Sequence, residues 1–143
     1  MMLQQIGVVH SPYKTRAQAP RQGRSSSAIS EIEIFPQYAE GLHLIDRNRY
    51  LIVLSWFHLA ERDLLSVTPP HRSEEHGVFA TRSPARPNPI ALSLVKLRGI
   101  EGNVIRVAWL EAVDGTPVID IKPYSRELDC AEEDSGAGKD IPE

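Results

Sequence analysis

A chain of 143 residues can bury one real core and is too short for two domains of ordinary size. Its charged fraction of 24% and hydrophobic fraction of 41% exclude wholesale disorder and fit a soluble globular protein. The net charge of −3 is unevenly spread: Asp129 to Glu143 holds six acids and one base, leaving a body of +2, and the first 24 residues carry Lys14, Arg16, Arg21 and Arg24 with no acid.

In chain order the signals are mostly those of strands. Leu3 to Val9 reads as a short apolar strand, followed by the acid-free arm and its turn Ala19 to Gly23 (APRQG). Ile32 and Ile34 alternate with Glu31 and Glu33, the period-two pattern of a strand with one wet face. Short helices are expected over Pro36 to Leu42 and Ala60 to Leu65. Between them Tyr50 to Phe57 (YLIVLSWF), the longest apolar run, is far too short to span a membrane and suits a buried strand. Gly77 to Ala80 is read as a further strand. Ile90 to Leu97 and Val104 to Leu110, separated by Gly99, Gly102 and Asn103, predict a hairpin. Val118 to Lys122 is the last strand. Many short strands with turn signals between them predict an antiparallel barrel or sandwich. The acidic tail, residues 129–143, has too little apolar surface to offset its ordering entropy and is expected to be mobile.

Several chemistries are disfavoured. No strand, glycine loop and helix occur in the order a dinucleotide-binding fold requires. Cys130 is the only cysteine, so there is no intrachain disulfide and no thiolate-rich metal cluster. The histidines His10, His43, His58, His71 and His76 lack metal-ligand spacing, and no metal site is expected. The N-terminus has no basic and apolar secretory pattern, so the expected location is the cytoplasm.

Three stretches are chemically unusual. In Thr81 to Pro89 (TRSPARPNP) three prolines fix φ and remove donors, which makes a stiff loop displaying Arg82, Ser83, Arg86 and Asn88. The same composition also describes a plain connection with solvated arginines. Asp114 to Tyr124 (DGTPVIDIKPY) is a turn running into a strand. Alternation puts Val118, Asp120 and Lys122 on one face, the last two about 7 Å apart along the strand, either as a surface ion pair or as a polarised ligand site. The planar side chains of Arg21 and Gln22 beside Pro20 suit a purine edge or a carboxylate, although such turns are also ordinary surface loops.

Together, and in this order, Ile6 to Lys14, Pro20 to Gln22, Trp56 to His58, Gly77 to Leu97 and Asp114 to Tyr124 resemble the TrmO (TsaA-like) family of transfer-RNA methyltransferases. The resemblance covers residues 6 to 124. It implies a mostly β fold: a compact antiparallel β-barrel with short helices, unrelated to Rossmann methyltransferases, over residues 1–128. It further implies a homodimer that binds S-adenosyl-L-methionine and methylates the exocyclic nitrogen of threonylcarbamoyl-adenosine beside the anticodon of tRNA. By similarity, cofactor contacts fall on Pro20, Arg21, Gln22, His58, Leu59, Arg82, Leu92, Val113, Asp114, Gly115, Thr116 and Pro117. Position 10 is histidine where some relatives have arginine, and better-known bacterial members carry a further C-terminal domain.

Methyl transfer needs an attacking nitrogen in line with the sulfonium methyl, and the protein supplies this mainly by positioning. Arg86, Asn88, Lys122 and Tyr124 are expected to orient the acceptor, with Asp120 fixing Lys122 rather than acting as a base, because an adjacent ammonium lowers a carboxylate's basicity. The rival readings are a methyltransferase for a small molecule and a non-catalytic nucleic-acid-binding barrel. A body charge of +2 and the lack of aromatic-rich basic strands count against the latter.

Overall fold

A computed structural model describes residues 1–19 and 27–132. Among the described residues the strands are β1 (Gly7–His10), β2 (Ile29–Ile34), β3 (Tyr50–Trp56), β4 (Ser66–Val67), β5 (His76–Gly77), β6 (Ile90–Glu101), β7 (Val104–Ala108) and β8 (Pro117–Pro123), with a short α-helix, α1 (Arg126–Asp129), and short 3₁₀ helices. The chain divides into two compact units, Met1–His58 with Ile90–Tyr124, and Leu59–Pro89 with Ser125–Glu143.

The first unit is a closed antiparallel barrel in the order β1-β2-β7-β6-β3-β8, as the mostly β reading of the sequence requires. Period-two alternation drives it. Along β3, Leu51, Val53 and Ser55 point inward; Ala91, Ser93 and Val95 on the paired β6, and Ile32 and Ile34 on β2 and Ile105 and Val107 on β7 further round the barrel, do the same. Val9, Leu110, Ala112 and Val118 complete the core. Closure pairs Gly7 with both Ile34 of β2 and Val118 of β8. With both neighbours at hydrogen-bonding distance there is no room for a side chain: a Cβ at Gly7 would run into the carbonyl oxygen of Glu33.

The hairpin between β6 and β7 forms, but from fewer residues than expected. Only Gly102 and Asn103 turn the chain, with Gly102 at φ +61°, which suits the first central position of a type II′ hairpin. Gly99 lies within β6, at a register shift between Leu97 and Gly99. The tip is fastened sideways, since Asn103 Nδ2 donates to the Ile34 carbonyl at 2.7 Å and the Ile34 N–H to the Asn103 carbonyl at 2.8 Å.

The short helix expected over Pro36–Leu42 forms with those bounds, as a 3₁₀ helix. Three local expectations need correction. β1 begins at Gly7, not Leu3. In the second unit, Gly77 ends β5 and Val78–Ala80 is a 3₁₀ turn instead of a strand. Ala60 to Leu65 is not helical. Its carbonyls are used elsewhere: Glu61 accepts from the Arg86 N–H at 3.2 Å and Leu65 from the Val78 N–H at 2.9 Å, so these bonds replace a helical ladder. One element had not been expected. Ser125 caps α1, its hydroxyl accepting from the Leu128 N–H while Asp129 accepts from the Ser125 N–H. The tail beyond Glu132, expected to be mobile, lies outside the described residues.

Gly7→Ala is expected to lower the unfolding free energy by about 1–3 kcal/mol, the usual cost of forcing a methyl into a packed site. Urea unfolding followed by circular dichroism measures it; an unchanged midpoint would show that β1 can yield.

Candidate functional site

The chain between β7 and β8 closes in a four-residue turn, Val113 to Thr116. The Thr116 N–H donates to the Val113 carbonyl at 3.2 Å and the Thr116 hydroxyl to the same oxygen at 2.7 Å. Gly115 takes the third position with φ +87°, the requirement of a type II turn that glycine meets without strain. Thr116 is fully buried, and nothing would meet a Cβ placed on Gly115 within 4 Å, so that face of the turn is open to a ligand.

This turn holds the start of the basic arm. The Gly115 N–H donates to Val9 at 2.8 Å, the Val9 N–H to Thr116 at 2.9 Å, and the Asp114 N–H to Tyr13 at 2.7 Å. The Asp114 carboxylate accepts from the Ser11 N–H at 3.0 Å and from Lys14 Nζ at 3.0 Å, with His10 Nδ1 4.0 Å away. The Lys14 ammonium first, then the Ser11 amide, with a smaller contribution from His10, hold the Asp114 carboxyl below its ordinary range. His10 also meets Glu33 at 2.9 Å, so its ring is shared between two carboxylates. Ser11 and Lys14 had not been singled out as site residues; the acid-free arm was the signal, and their partner 100 or more residues away was not legible. The arm leads toward Pro20, Arg21 and Gln22, which lie outside the described residues.

On β8 the alternation breaks. The register shifts between Leu54 and Ser55 of β3, which pair with Asp120 and Val118, leaving Ile119 as the extra residue of a β-bulge. Val118 therefore points into the core while Asp120 and Lys122 point outward, correcting the expectation that all three share a face. Asp120 and Lys122 do meet, at 3.0 Å, and the second Asp120 oxygen accepts from the Ile121 N–H at 2.9 Å. Tyr124 follows β8 and sits edge-on to Tyr50, 6.4 Å between ring centres.

The outer face joining β3 and β6 is apolar: Trp56 opposes Ile90, Leu54 opposes Leu92, and Ile52 opposes Leu94. Ile90 and Leu92 remain exposed. His58, just beyond β3, is also exposed.

In the second unit, the proline-bound loop is organised by Arg86. Its guanidinium donates to the carbonyls of Thr81, Ser83 and Val78, each at 3.0 Å. Arg62 Nε adds a bond to the Pro87 carbonyl at 2.9 Å. Arg86 is thus a clamp of its own loop and not the free, exposed cation the composition suggested. Arg82, Asn88 and Leu59 are exposed in this unit.

A family profile described as the tRNA-methyltransferase O N-terminal domain matches residues 8–130. The chain belongs to that family. Among relatives, an S-adenosyl-L-methionine-binding protein of Archaeoglobus fulgidus is 57% identical over 136 residues, covering 95% of this chain and 98% of that one. A tRNA (adenine(37)-N6)-methyltransferase of Escherichia coli is 39% identical over 132 residues, covering 85% of this chain and 56% of that one. A crystal structure of TrmO from Pseudomonas aeruginosa superposes with a TM-score of 0.77 at 31% identity, over all of this chain and 65% of the other. The chain therefore spans nearly the whole archaeal relative but well under two thirds of the Escherichia coli one, while the family's barrel is the same fold described above.

Because the folded Asp114 carboxyl is held below its unfolded value, its contribution to stability is present above the ordinary aspartate range, about pH 3.9, and is lost as the pH falls below it. Carboxyl-resolved NMR titration should find Asp114 protonating at lower pH than an ordinary aspartate, and Lys14→Gln should raise its midpoint. An Asp114 midpoint indifferent to Lys14→Gln would remove the ammonium as the main cause.

Proposed function

We propose that this protein binds S-adenosyl-L-methionine at the 113–117 turn and the 20–22 segment and transfers the methyl group to the exocyclic nitrogen of threonylcarbamoyl-adenosine beside the anticodon of tRNA. The observation that carries this reading is the open Gly115 turn, locked by Asp114 to the arm that leads to residues 20–22. The donor set of the turn fits the cofactor's chemistry: main-chain groups and a carboxylate for its polar ends. Leu92 of the barrel unit and Leu59 of the second unit, both exposed, are further proposed contacts. His58 and Arg82 are the other proposed cofactor contacts. The match to the family over residues 8–130, and the substrate named for the Escherichia coli relative, support the assignment.

The cofactor supplies an electrophilic methyl on a sulfonium. With the cofactor bound, an acceptor nitrogen held in line would take that methyl from sulfur and give up its own proton to solvent. What the chain contributes is orientation. Lys122, held at 3.0 Å by Asp120, presents a fixed cation to the acceptor's carboxylate or phosphate, while Asn88 and Tyr124 supply further polar contacts. With its carboxylate committed to Lys122 and the Ile121 amide, Asp120 acts as the support of Lys122 and not as a base. Arg86 acts through its loop. The protein works as a cytoplasmic homodimer: a closed barrel has no free strand edge, so the surface offered to a second copy is the apolar face of Trp56, Leu54, Ile90 and Leu92 rather than an edge.

Labelled methyl transfer from S-adenosylmethionine to tRNA carrying threonylcarbamoyl-adenosine tests the reading, alongside a metabolite extract. Lys122→Ala and Asn88→Ala are expected to lower transfer by about 100-fold, the scale of losing one transition-state contact, with stability nearly unchanged. Arg86→Ala is expected to cost about 2 kcal/mol of stability instead. Sedimentation should give twice the chain mass. Label entering only small molecules, or no binding of cofactor by folded protein, would overturn the reading.

A further inference from the structure

At one end of the barrel unit the fold gathers aromatic and cationic side chains that are scattered in the sequence. Tyr50, the first residue of β3, stacks on Trp109 with ring centres 5.6 Å apart and planes 21° apart. Tyr124 packs edge-on against Tyr50, and its N–H donates to the Tyr50 carbonyl at 3.1 Å. Across the ladder Tyr50 faces Lys96, and Lys96 faces Ala108, the residue before Trp109. The Arg49 guanidinium lies 5.9 Å from the centre of the Tyr50 ring. Arg49, Lys96 and Arg98 line one groove of about 240 Å³ with a single carboxylate, Asp46, among its lining residues.

Trp109 is held there by an unusual backbone. Its φ of +76° is a region that a bulky side chain rarely occupies, and it lies where the chain leaves β7. Ala108, at 5% exposure, and Leu110, at 3%, are buried on either side of it, while Trp109 itself is only half-buried. The left-handed turn at this position thus keeps the indole at the surface against Tyr50, between two residues that the core takes.

We propose that Tyr50, Trp109 and Tyr124, with Arg49, Lys96 and Arg98, form a stacking platform for an unpaired base of RNA, the groove taking the adjoining phosphates. Every base has a π-face, so aromatic rings beside cations bind single-stranded nucleotides with little regard to sequence. The three-to-one excess of cations over carboxylates along the groove favours a polyanion over an acidic or neutral peptide. The body's charge of +2 is therefore a poor guide, because the cations are concentrated where the rings are. The proposal rests on the reading of the chain as an RNA-modifying enzyme and adds to it a binding surface outside the proposed cofactor turn.

The test uses the full chain with two probes, a twelve-nucleotide oligoadenylate and whole tRNA, read by tryptophan fluorescence and by affinity at several salt concentrations. Oligoadenylate is expected to quench the protein's fluorescence, and Trp109→Leu to remove most of that quenching and weaken binding about 5-fold to 150-fold, the range for one stacked base. Each of Lys96→Gln and Arg98→Gln is expected to reduce the slope of log affinity against log salt by about 0.7, the single-strand value per phosphate contact. S-adenosylhomocysteine affinity, read by calorimetry, should be retained in all three variants. Should Trp109→Leu fail to fold, the two glutamine variants and the Tyr50→Leu variant carry the test. Unchanged RNA affinity and salt slope in the folded variants would overturn the platform, even where tRNA is methylated. Variant-sensitive RNA binding without methyl transfer would instead uphold the platform and overturn the enzymatic reading. Binding of a protein partner that oligoadenylate does not compete away would count against RNA as the occupant.

Discussion

The candidate site depends on one carboxylate. Asp114 sits on a turn whose positive φ at 115 glycine meets without strain, and it reaches back across 100 residues or more to the Ser11 amide and the Lys14 ammonium. The main-chain bonds around it, from Gly115 to Val9 and from Asp114 to Tyr13, make the same connection without side chains. Together they convert an acid-free arm and a four-residue turn into one rigid junction. The side-chain part is partly solvated, and exposed pairs contribute little to global stability; its consequence is positional. A ligand that needs both segments can bind only where they are held together.

The barrel provides the fixed frame for that junction. β1 is squeezed between β2 and β8, with Gly7 at the point of closest approach, so the strand that precedes the arm and the strand that follows the turn are neighbours. One bulge at Ile119 then sets what β8 displays: Val118 goes to the core, and Asp120 and Lys122 go to the surface as a pair. Without the extra residue, the face that buries Val118 would also receive both charges, and burying them there would carry a large desolvation cost.

The alternating strands were legible because period two is a local property: Ile32 and Ile34, Leu51 and Val53, Ile105 and Val107 are core residues as their spacing demands. The long motif stretches, Gly77 to Leu97 and Asp114 to Tyr124, make the family legible in the sequence itself. What failed needs the folded chain. Whether Glu61 and Leu65 bond along a helix or across to Arg86 and Val78 depends on partners well along the sequence; whether Gly99 turns the chain or bulges within β6 depends on its register with Arg106 of β7; and Arg86 is spent on carbonyls only three to eight residues before it, which the path of the loop, not its composition, brings round the guanidinium. The bulge at Ile119 misled for a related reason, since a single inserted residue reverses every side chain beyond it. The aromatic and cationic end of the barrel was invisible for the same cause, as Tyr50, Lys96, Trp109 and Tyr124 come from four separate segments.

If the arm-to-turn junction builds the cofactor site, Asp114 and Lys14 must matter to the ligand as a unit and to the fold only slightly. The direct measurement is S-adenosylhomocysteine affinity by calorimetry in Asp114→Asn, Lys14→Gln and the double variant, each with its unfolding midpoint at neutral pH. The expected result is weaker binding in either single variant, little further loss in the double, and midpoints close to that of the unaltered protein. Full affinity in Asp114→Asn, with the protein folded, would contradict the account.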